Sequence, residues 1–519
     1  MDSSAPHRAR PKRAFLALVA SAALLAACGT TVPLTSTIGS DGLAQGQGQG
    51  SGTTTTGSTG LGGSSGGGAL TTGTTGGSPQ GQSSLGSAAG TSGATAVGPG
   101  AAPSRRPGRR PAADVAGMSS TTVKIGVEKI DTAALGAFSN AVGVNAGIGD
   151  LNGYQEALIS WVNTTGGLGG RRLKPVYFQA NLTASNQVND QARCATWAED
   201  DHVFAAQGTI TEGTGPVPCL AKHGIFSITT YGTNPGSADD FTRYRPYYYA
   251  PSMMETVSMA RSYVKGLHED GFFKPSEKIG LLYFDYPEFK LAKDRGLVPA
   301  LASYGLRLTT DYAVTYNGNP AETGNISAAV QSAELKFAAQ GIKEVLFLDS
   351  GGTLALFFLQ SAQNQGQTFQ YGFNSTNDAA FLEGQGISSQ LAHTTIAGTE
   401  PVDDTNDMSS APRNPDRDLC FAILKKAGHV PGSAVDRQAM AGFCSFYFFL
   451  KATFSRATSF GPSGFAQAVA SLGADPGTAA GSHGDTFGPG HEWGANRYAI
   501  AHWRTDCSCF TYVGPSHAL

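Results

Sequence analysis

From Ser120 onward the chain alternates short β-rich runs with amphipathic stretches of helical period, and this rhythm constrains the fold more than any other feature. Strands are predicted at Val123–Val127, Lys174–Gln179, Val203–Gln207 and Ile225–Thr229, with helical patterns at Gly153–Asn163 and Asn186–Asp200 between them. Brief apolar runs separated by helices read as parallel strands in βαβ units, because a parallel crossover needs a helix to carry the chain back. The rhythm breaks near Tyr247–Pro251 and then restarts. Helix Glu255–His268 precedes strand Lys278–Tyr283, helix Lys290–Tyr304 precedes strand Arg307–Val314, and helix Asn325–Gln340 precedes strand Glu344–Asp349. Helix Leu354–Gln365 then leads to strand Gln370–Phe373. The predicted fold class is α/β, with two doubly wound, Rossmann-like lobes joined by hinge crossings. Ligands of such sheets sit beyond the carboxyl ends of the strands, and two sets of strand ends can face one another across a cleft.

The rest of this part holds a strand at Thr395–Thr399, a polar loop at Asp403–Arg417, helices at Asp418–Ala427 and Asp436–Ser455, and a hairpin of Arg497–Trp503 with Phe510–Val513. Phe443, Phe446, Tyr447, Phe448, Phe449 and Phe454 make Asp436–Ser455 read as a buried helix. The run Tyr244, Tyr247, Tyr248, Tyr249 reads as lobe or hinge packing, with stacking on a ligand as the other reading.

The first 119 of the 519 residues are of another kind. His7, Arg8, Arg10, Lys12 and Arg13 form a basic leader to the apolar segment Ala14–Ala27, which is short for a permanent membrane span, so residues 1–28 read as an export signal. That segment ends Leu25-Ala26-Ala27-Cys28, which resembles the lipobox of bacterial lipoproteins. The resemblance implies cleavage before Cys28, diacylglyceryl transfer to its thiol, palmitate among the acyl chains, and a cell-membrane anchor on the extracytoplasmic face. A plain secretory signal with a chance cysteine is the competing reading. Residues 29–119 are Gly, Ser, Thr, Gln and Ala with scarcely an aromatic, too little apolar surface to offset the entropy of ordering, so they are expected to form a flexible tether. Such a chain has an r.m.s. reach of about 50 Å. Arg105, Arg106, Arg109 and Arg110 near its end read as a solvated charge run or as a contact for anionic polymer.

Of seven cysteines, Cys28 leaves six, an even number that suggests disulfides in an exported chain. Nearest-neighbour pairing gives Cys194-Cys219, Cys420-Cys444 and Cys507-Cys509, one of about 15 connectivities that sequence permits. Zinc at Cys507 and Cys509 is the alternative for the last pair, with no second ligand pair nearby. The net charge of −3 carries no concentrated basic face in the folded part, which argues against nucleic acid as a partner.

Several segments in their order carry a family resemblance: the opening Val123-Lys124-Ile125-Gly126-Val127, then Asn152-Gly153-Tyr154 starting a helix that ends Trp161-Val162-Asn163, then Gly166-Gly167-Leu168-Gly169-Gly170-Arg171. Val203-Phe204-Ala205-Ala206-Gln207-Gly208 and Gly224-Ile225-Phe226-Ser227-Ile228 follow, leading to Thr233-Asn234-Pro235. Over about Val123 to Val513 the chain resembles the type I periplasmic binding proteins, in particular the Leu/Ile/Val (branched-chain amino acid) binding family of ABC importers. The resemblance implies that 120–250 with about 377–485 form lobe 1, and 251–376 with about 486–519 form lobe 2. It implies a monomeric receptor that takes a small polar solute, an amino acid, amide or related compound, in an inter-lobe cleft and hands it to a membrane permease.

In this family the loops after the third and fourth strands bind the ligand carboxylate, which places Thr209, Thr211, Glu212, Tyr231 and Thr233 at the site. Capping of helices and turns is the other reading of those residues. From the second lobe the resemblance implies Tyr286 as an aromatic wall, although Asp285-Tyr286-Pro287 departs from the usual Tyr-Gly pattern, together with Asp349 and Ser350. Where amino acid binders carry an acid for the ligand ammonium, this chain has Asn374, and an amide does not neutralise an ammonium. Asp349, Glu212 or Asp378 are the acids able to compensate from another loop, or else they are solvated.

An enzyme is not expected. There is no Gly-x-Ser-x-Gly elbow and no Walker loop, and His491-Glu492 lacks the second histidine of a zinc helix. No cofactor or metal is implied. A ligand-sensing or cell-envelope interaction protein with the same fold and no transport role is the alternative function.

Overall fold

The computed structural model describes residues 115–519, apart from 142–143, 145, 209–213, 231–234 and 317–322. The expected export signal, Cys28 and nearly all of the tether lie outside the described residues.

Two sheets organise the chain. The first contains β1 (Thr122–Lys129), β2 (Arg172–Gln179), β3 (Ala205–Gln207), β4 (Phe226–Ile228) and β5 (Tyr248–Tyr249), in the order β2-β1-β3-β4-β5 and parallel throughout. The second contains β6 (Ile279–Phe284), β7 (Leu308–Val314), β8 (Glu344–Leu348), β9 (Gln370–Phe373), β10 (Thr394–Gly398), β11 (Arg497–Arg504) and β12 (Cys509–Ala518). Its order is β12-β11-β10-β9-β8-β6-β7, so its parallel part repeats the winding of the first sheet and the hairpin β11-β12 extends it antiparallel. Every residue of β6 and of β8 is buried, as expected of strands covered by helices on both faces.

Each lobe buries its own core. In the first, Ile125 and Val127 of β1 pack with Phe204, Phe226, Phe449 and Phe465, and the Phe226 and Phe465 rings stack 4.1 Å apart. The helix Ala434–Arg456 supplies much of this core: Phe443, Phe446, Tyr447, Phe448, Phe449 and Phe454 are all buried. Ser433 caps it by accepting from the Asp436 amide. The second core gathers Leu281, Leu346, Phe347, Phe358, Tyr371 and Tyr498. Tyr248 and Tyr249, read as packing residues, are buried and form β5; Tyr248 stacks on Phe241 at 4.4 Å.

Three segments join the lobes. The first follows β5, and the third lies beside it, with the Ala250 amide donating to Glu492 O and the Gly494 amide to Ala250 O. The second differs from the sequence reading. Strand β10 pairs with β9, Ile396 opposite Phe373, so the chain stays in the second sheet through Gly398 instead of leaving near residue 377. It then crosses to helix Pro415–Lys426, whose Cys420 and Leu424 lie in the first core. A lone apolar strand pattern does not say which of two sheets it joins, which is why the boundary was misplaced. The disulfides are Cys194-Cys219, Cys420-Cys444 and Cys507-Cys509, the nearest-neighbour set. Among the described residues no helix is long and apolar enough to cross a membrane.

Candidate functional site

The carboxyl ends of strands from both sheets enclose a recess of about 190 Å³. Ser350 and Gly351 follow β8, and Ser375, Thr376 and Asp378 follow β9. Thr230 follows β4 on the opposite side, where Gln438 and Gly442 of helix Ala434–Arg456 and Gly481 complete the wall. The crossing after β10 contributes Glu400, Val402 and Asp403. The position is the one expected of doubly wound sheets, whose binding crevices open at strand carboxyl ends.

A hydrogen-bond node fixes the crossing. The Ser375 hydroxyl oxygen accepts from the amides of Thr399 at 2.7 Å and Glu400 at 2.9 Å, while its own proton goes to Asp404. Asp404 is 0% exposed, and its carboxylate also accepts from the Tyr512 hydroxyl of β12 at 2.6 Å. Close packing around this carboxylate excludes any side chain at the end of β10: a Cβ on Gly398 would lie 1.8 Å from Asp404 Oδ2. On the second lobe, Gly352 has φ of 67°, and a Cβ there would meet the Asn377 carbonyl at 2.5 Å, so the β8 turn requires glycine. Across the recess, Gln438 of the first lobe donates to Asp378 of the second.

The electrostatics are dominated by acids. Asp378, Glu400 and Asp403 all line the recess, and no lysine, arginine or histidine is among its described lining residues. Burial, followed by the charge of Asp404, pushes Glu400 up to about 8. Burial, with the charges of Glu400, Asp378 and Asp404 behind it, holds Asp403 well above the usual carboxyl range, and Asp403 hydrogen-bonds Glu400. Burial raises Asp378 to about 7 against the opposing Gln438 hydrogen bond, and raises Asp404 to about 7 against those from Tyr512 and Ser375. Neighbouring carboxyls in a poorly solvated place cannot all ionise, so the cluster retains protons near neutrality.

The residues expected from sequence divide sharply. Ser350 lines the recess. Asp349, beside it, is fully buried, and its carboxylate accepts from the Ser350 amide at 2.7 Å and the Ala355 amide at 3.0 Å, holding the start of helix Thr353–Gln365. Asn374 donates to Phe347 O at 3.2 Å and accepts from the amide and hydroxyl of Thr376, so its amide is engaged within its own loop. Tyr286 packs near Phe284 and Phe289, and like Asp349 and Asn374 it is not among the residues lining the recess. Thr209, Thr211, Glu212, Tyr231 and Thr233 lie outside the described residues. Glu400, Asp403 and Gln438 were missed. The available signal was Thr399-Glu400-Pro401-Val402-Asp403-Asp404, an acid-rich run directly after a predicted strand end.

No protein-family model matches the sequence, and neither does any curated protein. Solved structures do match in fold. An ABC transporter substrate-binding protein from Desulfitobacterium hafniense, in complex with Leu, aligns over 76% of this chain and 100% of its own at 14% identity, with a TM-score of 0.51. A solute-binding protein of an ABC transporter from R. palustris, in complex with 4-hydroxybenzoate, aligns over 76% of this chain and 97% of its own at 13% identity, TM-score 0.56. A fatty acid ABC transporter substrate-binding protein from Thermomonospora curvata covers 78% of this chain and 94% of its own at 17% identity, TM-score 0.55.

Proposed function

We propose that this chain is an extracytoplasmic solute-binding receptor that captures a small polar solute, an amino acid, an amide or a related compound, in the inter-lobe recess and delivers it to the permease of an ABC importer. Acylation at Cys28 holds it to the membrane. The observation that carries the reading is a recess lined by polar side chains from both sheets at their strand ends. The shared fold with substrate-binding proteins that take Leu, 4-hydroxybenzoate or a fatty acid supports a binding role and leaves the ligand class open.

A thermal-shift screen of the protein against amino acids, amides, urea, aromatic acids and polyols tests it. A ligand at 100 times its Kd adds about 2.7 kcal/mol of stability. A saturating hit should also alter the small-angle scattering curve as the lobes close around it. Silence across the panel favours the sensing or envelope-interaction role instead.

A further inference from the structure

We propose that the solute taken by this recess is an organic cation, a protonated alkylamine or a guanidinium, whose charge is received by Glu400 and Asp403 with Asp378 beside them. The inference rests on the receptor reading and names its substrate class.

Three carboxyls reach the recess, and among the described residues that line it there is no cation. Asp404, the next acid, faces Ser375 and Tyr512. Neither buried guanidinium lines the recess: the charge of Arg437 is felt by Glu383 and Asp436, its Nε and Nη2 making no hydrogen bond, while Arg417 lies by Asp418 and Tyr512 and donates to Pro412 O at 2.9 Å. Besides Gln438, the amide of Phe381 donates to Asp378. An anionic solute would oppose any ionisation of these carboxyls and a neutral one would leave their protons in place, whereas a cation gains from each carboxyl it ionises. On the opposite wall Thr230, 3% exposed, has a hydroxyl with no hydrogen-bond partner, a second polar group that a ligand bearing N–H donors would satisfy. A bare metal ion fits less well. Among the described residues only Cys194, Cys219 and His223 bring three metal-capable side chains within 4.8 Å of one another, and those cysteines form a disulfide. The recess acids are spread for a larger cation with several donors.

The charge balance gives this site a signature. Near neutrality the empty recess retains protons on its carboxyls, so an entering cation must expel at least one to solvent: the carboxyl O–H breaks, the proton leaves, and the carboxylate takes the ligand N–H. Affinity then rises by up to about tenfold per pH unit for each proton released, until the pH passes the carboxyl values.

The test is calorimetric titration of the full chain at pH 6, 7 and 8, in two buffers of different ionisation heat. The probes are cadaverine, agmatine, 1,5-pentanediol and glutarate; the first, third and fourth share a five-carbon skeleton and differ in charge. The expected result is binding of cadaverine or agmatine that tightens with pH, with buffer-dependent heat showing proton release. Glu400→Gln should weaken it by about tenfold or more, and Thr230→Val, which leaves every acid in place, should weaken it less. Pentanediol or glutarate binding as tightly as the cations overturns the assignment while leaving the receptor reading standing. Cation binding without proton release or pH dependence also overturns it. Silence from all four probes overturns it too, and a neutral or anionic hit in the broader screen then shows the receptor reading surviving alone.

Discussion

Tyr512→Phe removes one hydroxyl from the node that anchors the acid-bearing crossing. In the native chain that hydroxyl donates to the fully buried carboxylate of Asp404 at 2.6 Å, and burial raises Asp404 to about 7. A hydrogen bond to a charged group contributes about 1.5–3 kcal/mol, and one between neutral groups about 0.5–1.5 kcal/mol. The loss therefore depends on pH. At pH 8.5 Asp404 is ionised and the substitution should cost about 2–3 kcal/mol; at pH 5 it is protonated and the cost should fall to about 1 kcal/mol. The sign follows from the donor favouring the ionised form: without it the Asp404 value rises further, and the penalty grows as pH climbs through 7. Urea unfolding of both proteins at the two pH values, followed by far-UV circular dichroism, reads the difference. Ser375 still donates to Asp404 in the variant, so the fold should persist. Equal losses at both pH values, or a larger loss at pH 5, would refute the placement of Asp404 as an ionisable anchor.

Three further outcomes follow from the same structure. Asp378, Asp404, Asp485, Glu344 and Glu383, at about 7, and Glu400, at about 8, hold protons that the unfolded chain releases near pH 4. Their contribution is fully present below about pH 4 and declines as pH rises, levelling off beyond 8, so the empty protein should melt higher at pH 5 than at pH 8.5. His483, lowered to about 3 by burial and the charges of Arg417 and Arg497, opposes this between pH 6.5 and 3 as one group against several, and a flat or rising profile would contradict the cluster. Gly398→Ala places a methyl against Asp404 and should cost about 1–3 kcal/mol while weakening ligand binding, and an unchanged urea midpoint would count against that close approach. Replacing both Cys420 and Cys444 by alanine opens a loop with a sequence separation of 24 and should destabilise the first lobe by about 3 kcal/mol, measured by urea unfolding against the oxidised parent.

The alternation of strand and helix patterns was legible because parallel strands buried on both faces are apolar at nearly every position, as β6 and β8 show. Tyr248–Tyr249 gave no strand signal: two residues are too few to express a period, and their strand character comes from pairing with Ser227 and Ile228 of β4. The resemblance implied Ser350, and it lines the recess two residues after the end of β8. Asp349 and Asn374 occupy equally suggestive positions, yet helix and turn amides claim their side chains. The backbone needs at a strand-to-helix turn compete with a ligand for the same short polar residues, and sequence does not say which wins.

Glu400 and Asp403 escaped the sequence reading because their place at the recess comes from the crossing and not from either lobe. Having paired β10 with β9, the chain must leave the second sheet and reach the first core, so the residues just after Gly398 pass between the two sets of strand ends. Ser375 of the second lobe and Tyr512 of β12 pin that passage through Asp404, whereas Thr230 and Gln438 approach it from the first lobe. A carboxyl on such a crossing faces both lobes, and the Gln438 contact to Asp378 ties one wall to the other. A cation that draws charge onto Asp378 would strengthen that hydrogen bond, because an amide donates better to a carboxylate than to a neutral acid. On the proposed reading, cation capture and contact between the lobes are coupled through the ionisation of Asp378.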